Sequence, residues 1–262
     1  MPQTLKSETG CCYDYPQYYD IVFGADWRDE HRFLTSCFKS YARRPVRRIF
    51  EPACGTGRLL ARFARDGLTV GGNDLNPKAV SYCNRRLARG GFAPTVTVAD
   101  MSDFRLARPV DASFNMINTF RHLSDDRRAL GHLRCMAEAT APGGIYVLGL
   151  HLTPNEAPVC VSETWSARRG ASEVSITVAT ESLDRTARAE NIKLTMEVRS
   201  PTKRLHLVDR FAFRTYSYRQ LRNLLAKTPW EVVAAYDFGY EFDYPTEIGP
   251  EDEDVVLVLR KA

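Results

Sequence analysis

What the 262-residue chain lacks narrows it first. No run reaches the ~18 consecutive apolar residues that a membrane span needs, so no spanning helix is expected. The opening stretch MPQTLKSETG is polar and has no secretory apolar core, which makes the cytoplasm the expected compartment. Seven cysteines, at 11, 12, 37, 54, 83, 135 and 160, include no C-x-x-C pair and make an odd total, against both a zinc ribbon and a disulfide framework. No His/Cys/Asp grouping has metal-ligand spacing, so no metal is expected, and without a G-x-S-x-G the chemistry of serine hydrolases has no support. Repeats and low-complexity tracts are missing too. Lys plus Arg exceed Asp plus Glu only by 36 to 32, too little to declare a nucleic-acid binder. What remains is ordinary: 44% apolar and 26% charged residues, in a chain long enough for a sizeable core.

The pattern along the chain is more informative than the totals. Residues 1–45 read as an N-terminal helical cap, with Phe33, Leu34, Cys37 and Phe38 spaced three to four apart. Ahead of them, YDYPQYYDIVF reads as an ordered aromatic loop, because of its proline. From 46 to 152 strand-like and helix-like segments alternate. The strands are VRRIFEPA, LTVGGNDL, TVTVADM, VDASFNMIN and IYVLGLHL; Asn76 and Ser124 are expected helix caps, and APGG is expected to end the last helix of the series. Such alternation means a parallel sheet covered on both faces, because parallel neighbours need crossovers. From 153 to 215 the period changes to two, in Val174, Ile176 and Val178, then Ile192, Leu194, Met196 and Val198, then KRLHLVDRFAFR. This reads as an antiparallel β insertion and lid. Residues 216–262 supply a helix capped by Ser217 and a closing strand pair, WEVVAAYDF and DVVLVLRKA.

Ligands of open parallel sheets sit beyond the carboxyl ends of the strands. The first such turn is EPACGTGR, in which Gly55 and Gly57 can take positive φ and bare their backbone. Asp74 closes the second strand, where a carboxylate can accept from a ribose diol, and Asp100 closes the third, where it can accept from an exocyclic amine while the Met101 amide donates to a ring nitrogen. Together they describe a pocket for an adenosine-bearing ligand. A dinucleotide fingerprint wants a third glycine where Leu60 stands, and Glu51 suits the positive charge of S-adenosylmethionine better than a pyrophosphate.

EPACGTGR, GNDLNP, ADM and APGGIYVL, in this order, resemble the motifs of the class I S-adenosylmethionine-dependent methyltransferases. The resemblance covers Val46 to Leu152 and, more loosely, the final helix and strand pair. It implies an α/β fold of three layers, with a seven-stranded, mostly parallel sheet whose last strand is antiparallel. It also implies S-adenosyl-L-methionine as cofactor, with Ala53, Gly55 and Gly57 on its methionine portion, Asp74 and Leu75 on the ribose, Asp100 and Met101 on the adenine, and the Asn115 carbonyl toward its amine. Arg58 completes the first motif. The segment MINTFRHL is similar to one in sugar-amine N,N-dimethyltransferases and related small-molecule enzymes, and His122 within it is the candidate general base for an amine or hydroxyl acceptor. Tyr13, Tyr15, Tyr18 and Tyr19 with Asp20 resemble the family's N-terminal segment that folds over the cofactor, which places Tyr19 among the cofactor contacts.

The reading is a methyltransferase for a small-molecule acceptor, by N- or O-methylation. A lid over the strand ends argues against nucleic-acid partners, and Arg43, Arg44, Arg47 and Arg48 are expected to form a solvated rim at the far end of the first strand. Two alternatives stay open: an RNA methyltransferase that uses those arginines, and a non-catalytic S-adenosylmethionine-binding protein. Acceptor and oligomeric state are not legible.

Overall fold

A strand, a 3-10 turn (Cys12–Asp14) and two helices open the chain in the computed structural model, which describes residues 7–156 and 161–261. Residues 1–6 of the expected cap, 157–160 of the expected insertion, Cys160 among them, and 262 lie outside the described residues. β1 (Ser7–Thr9) is followed by α1 (Pro16–Phe23) and α2 (Arg28–Tyr41). The expectation of an aromatic loop over YDYPQYYDIVF is corrected here: Pro16 stands at the first position of α1, where its missing N–H costs nothing and its fixed φ suits a helix. α2 buries Phe33, Leu34, Cys37 and Phe38 against the core, as their spacing requires.

The alternating segments become β2 (Arg48–Glu51), α3 (Leu60–Arg65), β3 (Thr69–Asp74), α4 (Pro77–Arg89), β4 (Val96–Val98), β5 (Val110–Asn115), α5 (Asp126–Ala139) and β6 (Thr140–His151). Asn76 caps α4 as expected, its side chain accepting from the amides of Lys78 and Ala79. α5 is capped by Asp125, not Ser124: a cap oxygen must reach the amide three residues on, and the Asp125 carboxylate accepts from Arg128 N at 2.8 Å. Nor does APGG terminate the helix. α5 ends at Ala139, and APGG lies inside β6, where the Gly143 carbonyl accepts from the Arg43 amide at 2.8 Å.

β7 (Ser162–Arg169), β8 (Ser172–Asp184), β9 (Ala189–Arg199) and β10 (Arg204–Arg214) follow, then α6 (Tyr218–Leu225), β11 (Trp230–Tyr236) and β12 (Asp254–Lys261). Ser217 and Gln220 form a reciprocal capping box on α6. One sheet has seven strands in the order β11-β12-β6-β5-β2-β3-β4, and only β12 runs against the rest. Helices cover both its faces, around two buried clusters on opposite sides. This is the expected three-layer α/β architecture. The order reverses at β2, so the crevice for a ligand opens beyond Glu51.

The second sheet has the order β1-β10-β9-β8-β7. β1 pairs in parallel with β10, which makes the N-terminus a part of this sheet, an arrangement that nothing in the local pattern announces. β7 escapes the period-two reading because it is an edge strand exposed on both faces. Val174, Ile176, Leu194, Met196 and Val198 pack under Ile21 and Val22 of α1, giving this sheet a small core of its own.

Candidate functional site

The turn after β2 is built around three left-handed residues, Ala53 (φ 48°), Gly55 (φ 53°) and Gly57 (φ 65°). For Ala53 that conformation costs about 1–2 kcal/mol. Asn73 holds it in place, its side-chain oxygen accepting from Ala53 N at 3.1 Å and its carbonyl from Cys54 N at 2.8 Å. A Cβ on Gly55 would meet nothing, so its backbone lies open. A Cβ on Gly57 would lie 2.1 Å from Cys83 Sγ, so this glycine lets α4 approach the turn.

The strand-end carboxylates are already positioned. Asp74 accepts from the amides of Gly55 and Asn76, both at 2.8 Å; burial raises its pKa and these bonds oppose the rise. Asp100 accepts from Ser102 N at 2.8 Å, Ser102 Oγ at 2.7 Å and the Arg128 guanidinium at 2.9 Å. Burial works against this carboxylate, but the Ser102 and Arg128 contacts outweigh it and hold its pKa below the usual range. Beneath them, buried His132 donates from Nδ1 to the Met101 carbonyl at 2.9 Å and accepts at Nε2 from the Tyr146 hydroxyl at 2.8 Å. Glu51 is different. Its Oε2 is buried with no partner, and burial pushes its carboxyl well above the usual range, against the pull of Arg58. Arg58 is itself ion-paired with Glu30 and donates to the Asp26 carbonyl at 3.1 Å.

One cavity of about 1200 Å³ collects most of the residues singled out in the sequence: Tyr19, Glu51, Ala53, Gly55, Arg58, Asp74, Leu75, Asp100, Met101 and His122. Gly57 and Asn115 do not line it. Gly57 faces Cys83, and Asn115 is buried behind the turn, donating from Nδ2 to the Pro52 carbonyl at 2.9 Å. Leu75, 70% exposed, and Ile117, Val161 and Trp165 also open onto the cavity; these are four of the seven large apolar side chains exposed among the described residues, so apolar exposure concentrates where a ligand would cover it.

At the other end, the His122 ring opens onto the cavity while Phe211 and Phe213 of β10 pack beside it, centroids at 5.3 and 4.8 Å. The Tyr13 hydroxyl lies 3.0 Å from His122 Nε2. Burial, then the Arg121 charge, pull the His122 pKa down to about 4, so the ring is neutral at pH 7; burial holds the Tyr13 phenol well above its usual pKa, so it stays protonated. Between β5 and His122 the backbone is strained at Ile117 (φ 50°) and Asn118 (φ 61°), the former β-branched. Asn118 Oδ1 accepts from His151 N at 2.7 Å and secures the kink.

The residue that sequence reading undervalued is Asp20. Fully buried, it accepts from Thr56 Oγ1 in the glycine turn at 3.0 Å, from Tyr82 at 3.1 Å, from Arg86 of α4, and from Arg169 of β7 at 2.8 Å. Its carboxylate thus joins α1, the turn, α4 and the second sheet. The signal available was its place after Tyr18 and Tyr19; the partners, 36 to 149 residues away, left none.

Residues 49–144 match a family model described as a methyltransferase domain. A dTDP-3-amino-3,4,6-trideoxy-alpha-D-glucopyranose N,N-dimethyltransferase of Streptomyces venezuelae is 27% identical over 139 residues, 52% of this chain and 56% of that protein. A dTDP-4-amino-2,3,4,6-tetradeoxy-D-glucose N,N-dimethyltransferase of Saccharopolyspora spinosa is 29% identical over 150 residues, 54% of this chain and 57% of that protein. The chain therefore spans little more than half the length of these curated relatives. Among solved structures, Streptomyces venezuelae DesVI superposes with a TM-score of 0.76 at 20% identity, over 95% of this chain and 98% of that one. The fold is that of the class I methyltransferases, and residues 49–144 are similar to a methyltransferase domain.

Proposed function

We propose that this protein is an S-adenosylmethionine-dependent methyltransferase that methylates an amine or hydroxyl of a small molecule. The observation that carries the reading is the single cavity in which Glu51, Asp74 and Asp100, each at a strand end, face a chamber containing neutral His122. The buried, unpartnered Glu51 oxygen suits a cationic ligand such as S-adenosylmethionine. Asp74 and Leu75 would hold the ribose, Asp100 and the Met101 amide the adenine, and Tyr19, Ala53, Gly55 and Arg58 the methionine portion. When bound, the cofactor supplies an electrophilic methyl group.

The chain's own residues do the rest by orientation. In-line displacement needs the acceptor lone pair aligned with the methyl–sulfur bond, and a rigid chamber supplies that alignment. His122 accepts a hydrogen bond from the acceptor N–H or O–H and takes its proton as charge develops on the methylated atom. The Tyr13 hydroxyl oxygen accepts from Nε2–H and fixes the ring's orientation, which leaves the lone pair on Nδ1 to take that proton. The N-terminal segment and the second sheet, joined through β1–β10 and Asp20, cover the strand ends as one unit and exclude water.

The test is calorimetry with S-adenosylmethionine followed by transfer of labelled methyl into a metabolite extract. Binding together with S-adenosylhomocysteine formation that depends on the extract is the expected result. Binding without any transfer would leave a non-catalytic cofactor-binding protein.

A further inference from the structure

The two curated N,N-dimethyltransferases above are named for amino sugars carried on dTDP, a nucleoside diphosphate, and a site for such an acceptor must receive two phosphate charges. Free guanidinium or ammonium groups do this elsewhere, because their charge and hydrogen bonds offset the loss of phosphate hydration. The cavity wall here has none to spare among the described residues. Its cations are Arg58, Arg121 and Arg128, with no lysine, and each is spoken for: Arg58 by Glu30 and, on the reading above, by the methionine portion of the cofactor, Arg121 by buried contacts to Glu190 and the Arg214 carbonyl, Arg128 by Asp100 at 2.9 Å. The two histidines on the wall add no positive charge at pH 7. Burial is the main cause of a lowered pKa in both, bringing His122 to about 4, and Arg121 adds to it.

Carboxylates, by contrast, are in surplus. Glu163 on β7 and Glu253 before β12 face the cavity, and their fields converge on His151 together with that of Asp254. Asp254 pairs with His151 at 3.3 Å. The same wall carries the aromatic rings of Trp165, Phe211 and Phe238. Such a wall repels a diphosphate, attracts an ammonium from solution and packs against an apolar body.

Granted the methyltransferase reading, we propose that the acceptor is an unphosphorylated amine on an apolar or aromatic body, admitted past Glu163 and Glu253, and that this chain does not act on nucleoside-diphosphate sugars. The amine enters as its ammonium, loses one proton to solvent or His122, and attacks as the free base.

Calorimetry on the full chain saturated with S-adenosylhomocysteine tests this with three probes: thymidine diphosphate, inorganic pyrophosphate and phenyl 3-amino-3-deoxyglucoside. The amine should bind, and the exposed-site double variant Glu163→Gln/Glu253→Gln should weaken it by about tenfold. Neither phosphate probe should bind. Micromolar binding of either phosphate probe overturns the proposal, as does an amine that fails to bind or binds the double variant as tightly as the parent. A chain that does not take up S-adenosylhomocysteine at all defeats the methyltransferase reading instead; one that takes it up and also binds thymidine diphosphate defeats only this inference.

Discussion

At the end of the cavity proposed for adenosine the carboxylates accept from amides in their own turns: Asp74 serves Asn76 two residues on, and Asp100 serves Ser102. At the acceptor end the partners are remote, with Tyr13 set on His122 across 109 residues and Phe211 brought in from a different sheet. The first end is a property of strand-turn-helix units and forms wherever the parallel sheet forms. The second exists only if the N-terminus and the second sheet dock. A chain of this design can keep its cofactor cradle while its acceptor chamber is rebuilt.

The sharpest way to break that contrast is Asp20, which ties α1 to the glycine turn, α4 and β7. Asp20→Ala leaves Arg86 and Arg169 without their buried partner and should destabilise the protein by about 4 kcal/mol, read by denaturant unfolding. A loss near zero would mean that these elements are not coupled through it. Acid should weaken the adenosine end next. The His132 pKa is lowered by burial to about 4 in the folded chain, below the usual 6.5. The unfolded chain therefore binds this proton first, and stability falls as pH drops from 6.5 toward 4, by about 3 kcal/mol from this group. Melting temperatures between pH 7 and 4.5 check the sign.

Smaller effects should separate the ends. For His122→Ala we expect turnover about 100-fold slower with cofactor affinity unchanged. The gap between the two pH–rate profiles should stay constant above pH 5 and close as pH falls through about 4, where His122 takes up its proton. A parallel loss of cofactor affinity would place His122 at the wrong end. For Asp74→Ala the opposite split applies: S-adenosylmethionine affinity falls about 30-fold, near 2 kcal/mol, with little change in the acceptor's KM. Equal changes in both constants would erase the distinction.

How much was legible follows the same line. The alternation of strands and helices, the Asn76 and Ser217 caps and the strand-end positions of Glu51, Asp74 and Asp100 could be read because periodicity, capping and turn chemistry are local, whereas the seven strands with an antiparallel last one followed from the family resemblance. That Gly57 lets α4 approach the turn was not legible, because a turn glycine looks the same whatever lies where its side chain would be. β7 was missed because a strand exposed on both faces carries no alternation, and the aromatic segment was misread because a proline opens a helix as readily as it breaks one.

Sequence alone determined the parallel sheet and the order of its carboxylates, since each depends on residues within one turn of a strand. Only the tertiary structure decided that β1 joins β10, that Asp20 binds four elements, and that every arginine on the cavity wall is already paired. Those are long-range pairings between charged and polar groups, and charge complementarity has no period along the chain.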